Sequence, residues 1–180
     1  RTRDDILAKL GGNYGLKRFL WDGHQTVLEE ASRPYYEHSE LANFENIESE
    51  WPLFFCFLYI HALFDGNEST AKHYRSKLES LMVSAEGLQL LPELYYVPEE
   101  GIELEKQQPR SQPRVPNTNV PLVWAQSLYW VGYMLDEGLL TRDDVDPLHM
   151  RRRSRQLGRA TAPRASRPAR SSAPAAASAD

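Results

Sequence analysis

From Trp51 to Phe64 the chain reads WPLFFCFLYIHALF, an apolar run with no Asp, Glu, Lys or Arg and a single histidine, His61. As a helix it has no polar face, and a helix apolar all round is buried on all sides. Pro52 stands where a first helical turn tolerates it, and Asp65-Gly66-Asn67 supplies a stop. A segment of this kind must be covered by other elements of the same fold.

The rest of the sequence offers covers of two kinds. Between Ser69 and Val83, the residues Ala71, Tyr74, Leu78, Leu81 and Met82 form one stripe, with Lys72, Arg75, Lys77 and Glu79 elsewhere, so this helix faces water on one side. A third helix is expected to begin near Asn119 and run through Leu135 to Gly138, almost fully apolar again. Residues 3–10 predict a short helix ended by Gly11-Gly12, residues 15–36 an irregular stretch holding Trp21 and Asp22-Gly23, and residues 37–46 weak helical character. The proline-rich residues 86–121 read as loop. The expected class is all-α. Buried helices alternating with one-face-buried ones suit two concentric layers, an alpha/alpha toroid, although a plain bundle gives the same periodicity.

Charge divides the chain. Eight of the 21 basic residues and one of the 25 acidic ones lie after position 150, leaving 13 basic and 24 acidic residues and a formal charge of −11 in positions 1–150. A field of that sign repels phosphate backbones and anionic lipid, so nucleic acid and membrane surfaces are poor partners. Residues 150–180, rich in Arg, Ala, Pro and Ser, are expected to form a disordered tail behind a domain at 1–149. The abrupt change of composition after Asp146-Pro147-Leu148 is also what a shifted reading frame in GC-rich DNA would produce. Cys56, the sole cysteine, excludes an internal disulfide and reads as a buried, inert thiol. The apolar runs are too short and interrupted to span a bilayer, and a cytoplasmic protein is expected.

Metal and cofactor chemistry find no support: His24, His38, His61, His73 and His149 lack paired ligand spacing, and the glycines near the start form no phosphate loop. Carboxylates flanked by aromatics are present instead, in Asn46-Ile47-Glu48-Ser49-Glu50-Trp51 and Leu91-Pro92-Glu93-Leu94-Tyr95-Tyr96. Glycoside hydrolysis uses two carboxyl groups, one protonated and one ionised. A carboxyl kept dry beside Trp51 would favour its neutral form, and one in a wetter loop would stay ionised. Trp51, Tyr95, Tyr96 and Trp124 offer flat apolar faces of the kind sugar rings pack on. The plainer alternative is that the acids favour helix N-termini and the aromatics are core.

The strings KRFLWDGHQTVLEE, YYEHSELANFENIESEWPLFF, LLPELYYVPEE and VPLVWAQSLYWVGYMLDEGLL, followed by DVDPL, cover about positions 2–149 in order. They resemble the glucoamylase-like domain shared by glycoside hydrolase family fifteen and the alpha and beta regulatory subunits of phosphorylase kinase. That resemblance implies part of a six-hairpin alpha/alpha toroid whose inner helices surround a sugar site. It implies Glu48 as general acid and Glu93 as general base in inverting hydrolysis of alpha-glucans, with carboxyls about 6.5–9.5 Å apart. Ile47 stands where the hydrolase pattern has Trp, and Glu50 competes with Glu48 for the acid's role. Substrate-binding positions implied with them are Glu50, Trp51, Tyr95 and Trp124. The wording of HQTVLEE and PLVWAQSLY is closer to the stand-alone bacterial hydrolases. The alternative that the family implies is a non-catalytic subunit of glycogen metabolism with a kinase-complex partner and a calmodulin-binding region. The 180 residues by themselves are expected to hydrolyse no glucan.

Overall fold

The computed structural model describes residues 2–151, 153 and 154. Two compact units divide the chain, Arg1–Thr141 and a second that begins at Arg142. In chain order the first unit holds helices α1 (Thr2–Leu10), α2 (His38–Leu41), α3 (Leu53–Asp65) and α4 (Glu68–Ser80). There follow strands β1 (Val83–Ala85), β2 (Leu88–Leu90) and β3 (Tyr95–Tyr96), helix α5 (Ile102–Gln107), strand β4 (Val115–Pro116) and helix α6 (Val123–Asp136). In the second unit helix α7 (Arg142–Val145) is followed by Asp146, whose carboxylate accepts the backbone N–H groups of Met150 and Arg151 at 2.9 and 3.0 Å. The disorder and the frame shift expected of 150–180 concern residues that, apart from 150, 151, 153 and 154, lie outside the described ones.

The apolar run is α3, and it ends where Gly66 takes a left-handed φ of 71° and donates its N–H to the carbonyls of Ala62 and Leu63. Asn67 then caps α4, its side chain accepting from the Thr70 N–H at 3.1 Å. A stop and a start side by side fold α3 and α4 into a hairpin, and α6 packs on α3 from another direction. The α3–α6 approach is close because small residues face it. The Cys56 thiol lies 3.5 Å from the Ala125 carbonyl, and a methyl group at Gly132 would stand 2.6 Å from the Tyr59 ring. Leu78 and Ala71 of α4 complete this core with Phe55, Tyr59, Ala62 and Tyr129.

The molecule is helix-rich but not free of strands. The amphipathic helix expected to reach Val83 stops at Ser80, because Val83–Ala85 pairs antiparallel with Leu88–Leu90. Glu86 and Gly87 turn that hairpin with φ of 51° and 78°, the positive pair a tight two-residue turn requires. Residues 86–121, expected as loop, hold strands β2, β3 and β4, with α5 between β3 and β4. Phe57 of α3 and Val123, Trp124 and Trp130 of α6 stay exposed, so neither apolar helix is covered on every side.

Candidate functional site

Extended segments bring the candidate carboxylates together. Leu16 and Trp51 exchange backbone hydrogen bonds at 2.9 and 3.3 Å, and Glu50 and Tyr95 do the same at 2.9 and 2.8 Å. Tyr95 and Tyr96 of β3 then pair with Pro116 and Val115 of β4. Residues 48–51 therefore lie between the Leu16 segment and β3, and Glu93 enters β3 with its N–H bonded to the Asn119 carbonyl at 3.0 Å.

Glu48 is fully buried. The Lys17 ammonium lies 2.6 Å from its Oε2, and the Trp21 backbone N–H donates to its Oε1 at 3.0 Å. Oε1 is thus hydrogen-bonded, and Oε2 is held by the charge of Lys17 alone. Glu50 is buried beside it, accepting the Tyr14 N–H at 2.7 Å and pairing with the Arg114 guanidinium at 3.2 Å. Burial pushes the Glu50 carboxyl above its ordinary range, while Arg114, the Tyr14 N–H and Lys17 pull it down. Arg114 is the hub: it also reaches Glu105 at 3.1 Å and donates to the carbonyls of Glu48 and Asn46. Glu105 in turn accepts the N–H groups of Arg110 and Gln112, which folds the end of α5 back on itself. Three carboxylates, each no more than 1% exposed, share two cations, of which Arg114 is buried and Lys17 keeps part of its side chain in solvent.

Glu93 differs. It is half-buried, and its Oε2 accepts two side-chain amides, from Gln25 at 3.0 Å and Asn117 at 2.7 Å. Asn117 also donates to the Gln25 carbonyl oxygen at 2.8 Å, closing a triangle of Gln25, Asn117 and Glu93. Neutral amides orient a carboxylate without neutralising it. Arg18 is the cation that senses it: its guanidinium is raised first by the hydrogen bond to Asp22 and further by the fields of Glu29 and Glu93. The same guanidinium lies 5.0 Å from the Trp51 ring, and the His24 ring lies 6.0 Å from that ring, tilted by 20°.

Of the expected site residues, Glu48, Glu50, Trp51 and Tyr95 fall on neighbouring segments, with Glu93 joined to them through the loop that carries Trp21 and Gln25. Tyr95 is core: its hydroxyl donates to the Leu81 carbonyl at 2.6 Å and its ring packs on Tyr14. Trp51 is 8% exposed, leaving little face for a ligand. Trp124 is exposed and packs edge-on against Phe57 of α3, with ring centroids 6.0 Å apart. The sequence reading missed Lys17, Gln25, Glu105, Arg114 and Asn117. The sequence carries no local signal for Arg114, because Glu105 sits in the polar stretch Glu103-Leu104-Glu105-Lys106-Gln107 and its burial follows from the fold alone. Among the described residues no group of three or more His, Cys, Asp or Glu could hold a metal ion, and no helix is long and apolar enough to cross a membrane.

The model of glycosyl hydrolases family 15 matches residues 1–160. The protein named probable phosphorylase b kinase regulatory subunit alpha in Caenorhabditis elegans is 46% identical over 152 residues, which is 84% of this chain and 12% of that protein. Its namesake in Drosophila melanogaster is 46% identical over 151 residues, 83% of this chain and 12% of that protein. The skeletal muscle isoform of phosphorylase b kinase regulatory subunit alpha in Oryctolagus cuniculus is 44% identical over 151 residues, with the same two shares of 83% and 12%. The chain therefore spans about an eighth of the length of the curated relatives it matches.

Proposed function

The chain belongs to glycosyl hydrolase family 15, and from that premise we propose that it works as part of a non-catalytic regulatory subunit of a kinase complex in glycogen metabolism. In this reading it contributes helices to the family's alpha/alpha toroid, kept as an alpha-glucan-binding module in the cytoplasm. The likeness to phosphorylase b kinase regulatory subunits alpha, 44–46% identical over 151–152 residues, carries the proposal. It weighs against the stand-alone bacterial form that the wording of the motifs favoured.

The state of Glu48 supports the same reading. A general acid must present a proton to the glycosidic oxygen within hydrogen-bond reach. Both Glu48 oxygens are instead engaged by Lys17 and the Trp21 N–H at the bottom of a buried cluster. Glu93, half-buried and held by neutral amides, is the carboxylate open to a sugar hydroxyl.

The second reading, an inverting alpha-glucan hydrolase with Glu48 as acid and Glu93 as base, draws on the family's name and on the ready state of Glu93. Maltoheptaose added to the full-length protein separates the two. Binding without glucose release is expected. Release of inverted glucose that disappears in both Glu48→Gln and Glu93→Gln would establish the hydrolase instead.

A further inference from the structure

The segment from Lys17 to Glu29 touches both carboxylates that the family resemblance singled out, and it touches them differently. Its first part clamps Glu48, with Lys17 on Oε2 and the Trp21 N–H on Oε1. Its second part presents Gln25, whose amide donates to Glu93 and whose carbonyl oxygen accepts from Asn117. Between them the Ser49 hydroxyl holds the His24 carbonyl at 3.1 Å, and the backbone at Gly23 lies so close to the Phe44 ring that a Cβ would stand 2.6 Å from it.

The backbone turns left-handed at the two residues that make these contacts, with φ of 63° at Trp21 and 53° at Gln25. A tryptophan or glutamine adopts that region only where its surroundings over-determine it. The Glu48 carboxylate supplies one such constraint at Trp21, and at Gln25 the amide triangle at Glu93 acts together with the Glu29 carboxylate, which accepts the Gln25 N–H at 2.7 Å. Glu48 is 0% exposed, and Arg114 holds its backbone carbonyl.

We infer that Glu48 is a positioning residue: it anchors a strap, residues 17–29, whose Gln25 together with Asn117 orients the Glu93 carboxylate. The strap thereby couples the buried Glu48–Glu50–Arg114–Glu105 cluster to the open carboxylate. That Glu93 meets a glucan hydroxyl rests on the function proposed above; that the strap orients Glu93 does not.

Three readouts on the 180-residue chain test the coupling. In Glu48→Gln the single amide oxygen accepts either from the Trp21 N–H or from the Lys17 ammonium, and in each case the NH2 group turns a donor on the other, so it cannot serve both. Strap amides are then expected to exchange with solvent about tenfold faster, the loss of one charge-assisted hydrogen bond. The side-chain amide resonances of Gln25 and Asn117 are expected to shift as they do in Glu93→Gln, while that of Gln126, in the α6 core, stays in place. Glu93→Gln keeps the Glu48 anchor and is expected to leave exchange of the Lys17–Trp21 amides at the wild-type rate. Should Glu48→Gln fail to fold, Lys17→Met removes the same ion pair and leaves the Trp21 bond. Unchanged exchange and unchanged Gln25 and Asn117 resonances in the folded variant overturn the inference. Maltoheptaose titration of the full-length protein distinguishes the two proposals: a full-length wild type that does not bind it defeats the glucan reading, while the resonance shifts still decide the role of Glu48.

Discussion

The core between α3, α4 and α6 and the cluster just before α3 are equally withdrawn from water, and they are built on opposite principles. In the first, Cys56, Tyr59, Leu78 and Ala125 are 0% exposed and meet mostly carbon. In the second, Glu48, Glu50, Glu105 and Arg114 are 0%, 1%, 1% and 6% exposed and meet mostly charge. Apolar burial stabilises roughly in proportion to area and degrades by degrees when a methyl group is lost. A buried ion cluster is close to neutral while complete and fails abruptly when one partner goes, because a bare charge remains in a dry site. The apolar region therefore supplies stability, and the charged one supplies a particular geometry of backbone around residues 46–51.

The largest effect should come from the hub. Arg114→Met leaves Glu50 and Glu105 without their cation and the carbonyls of Asn46 and Glu48 without a donor, and should cost about 3–5 kcal/mol in urea denaturation near neutral pH. Leu78→Ala opens a cavity in the apolar core and should cost somewhat less, about 3 kcal/mol. Acid separates the two. Burial holds the Glu50 carboxyl above its ordinary 4.5, so the folded state binds a proton that the unfolded state releases. The stability from that group is full below the unfolded value and declines as pH rises through the folded one. Without Arg114 the folded value rises further, so the Arg114→Met deficit should shrink as pH is lowered toward 4.5. The Leu78→Ala deficit should not move. A pH-independent Arg114→Met deficit would mean that its cost is packing, and the contrast between the two regions would be broken.

The same contrast explains what was legible. Periodicity is a local signal, so α3, α4 and α6 could be read from apolar spacing, and the Gly66 stop from its type. The end of α4 could not, because Val83 leaves the helix to pair with Leu90, a contact that helix spacing does not encode. Glu48 and Glu93 were marked by resemblance, and their neighbours Trp51 and Tyr95 by composition. Their partners were hidden by distance: Lys17 lies 31 positions before Glu48, Arg114 lies 66 after it, and Gln25 lies 68 before Glu93. Trp124 was marked as a sugar platform, and its ring meets Phe57 of α3. Aromatic character predicts burial or stacking in general, not on which surface.

An exposed ion pair offers the smallest effect and the third term of the comparison. Arg33 donates twice to the Glu40 carboxylate, at 2.9 and 2.8 Å, and the Glu37 N–H adds a third bond at 2.9 Å, closing the capping box at the start of α2. Arg33 first, then that N–H, holds the Glu40 carboxyl down at about 2, below its ordinary 4.5. A depressed carboxyl contributes stability that is present above the unfolded value and lost as pH falls toward the folded one. Glu40→Gln should therefore weaken amide protection in α2 at neutral pH and make no difference near pH 2. Because the pair faces solvent, the effect should be smaller than that of Leu78→Ala and should fade with added salt. A salt-resistant loss as large as that of Arg114→Met would show that burial is not what separates the two kinds of ion pair, and that the geometry of the bidentate contact decides instead.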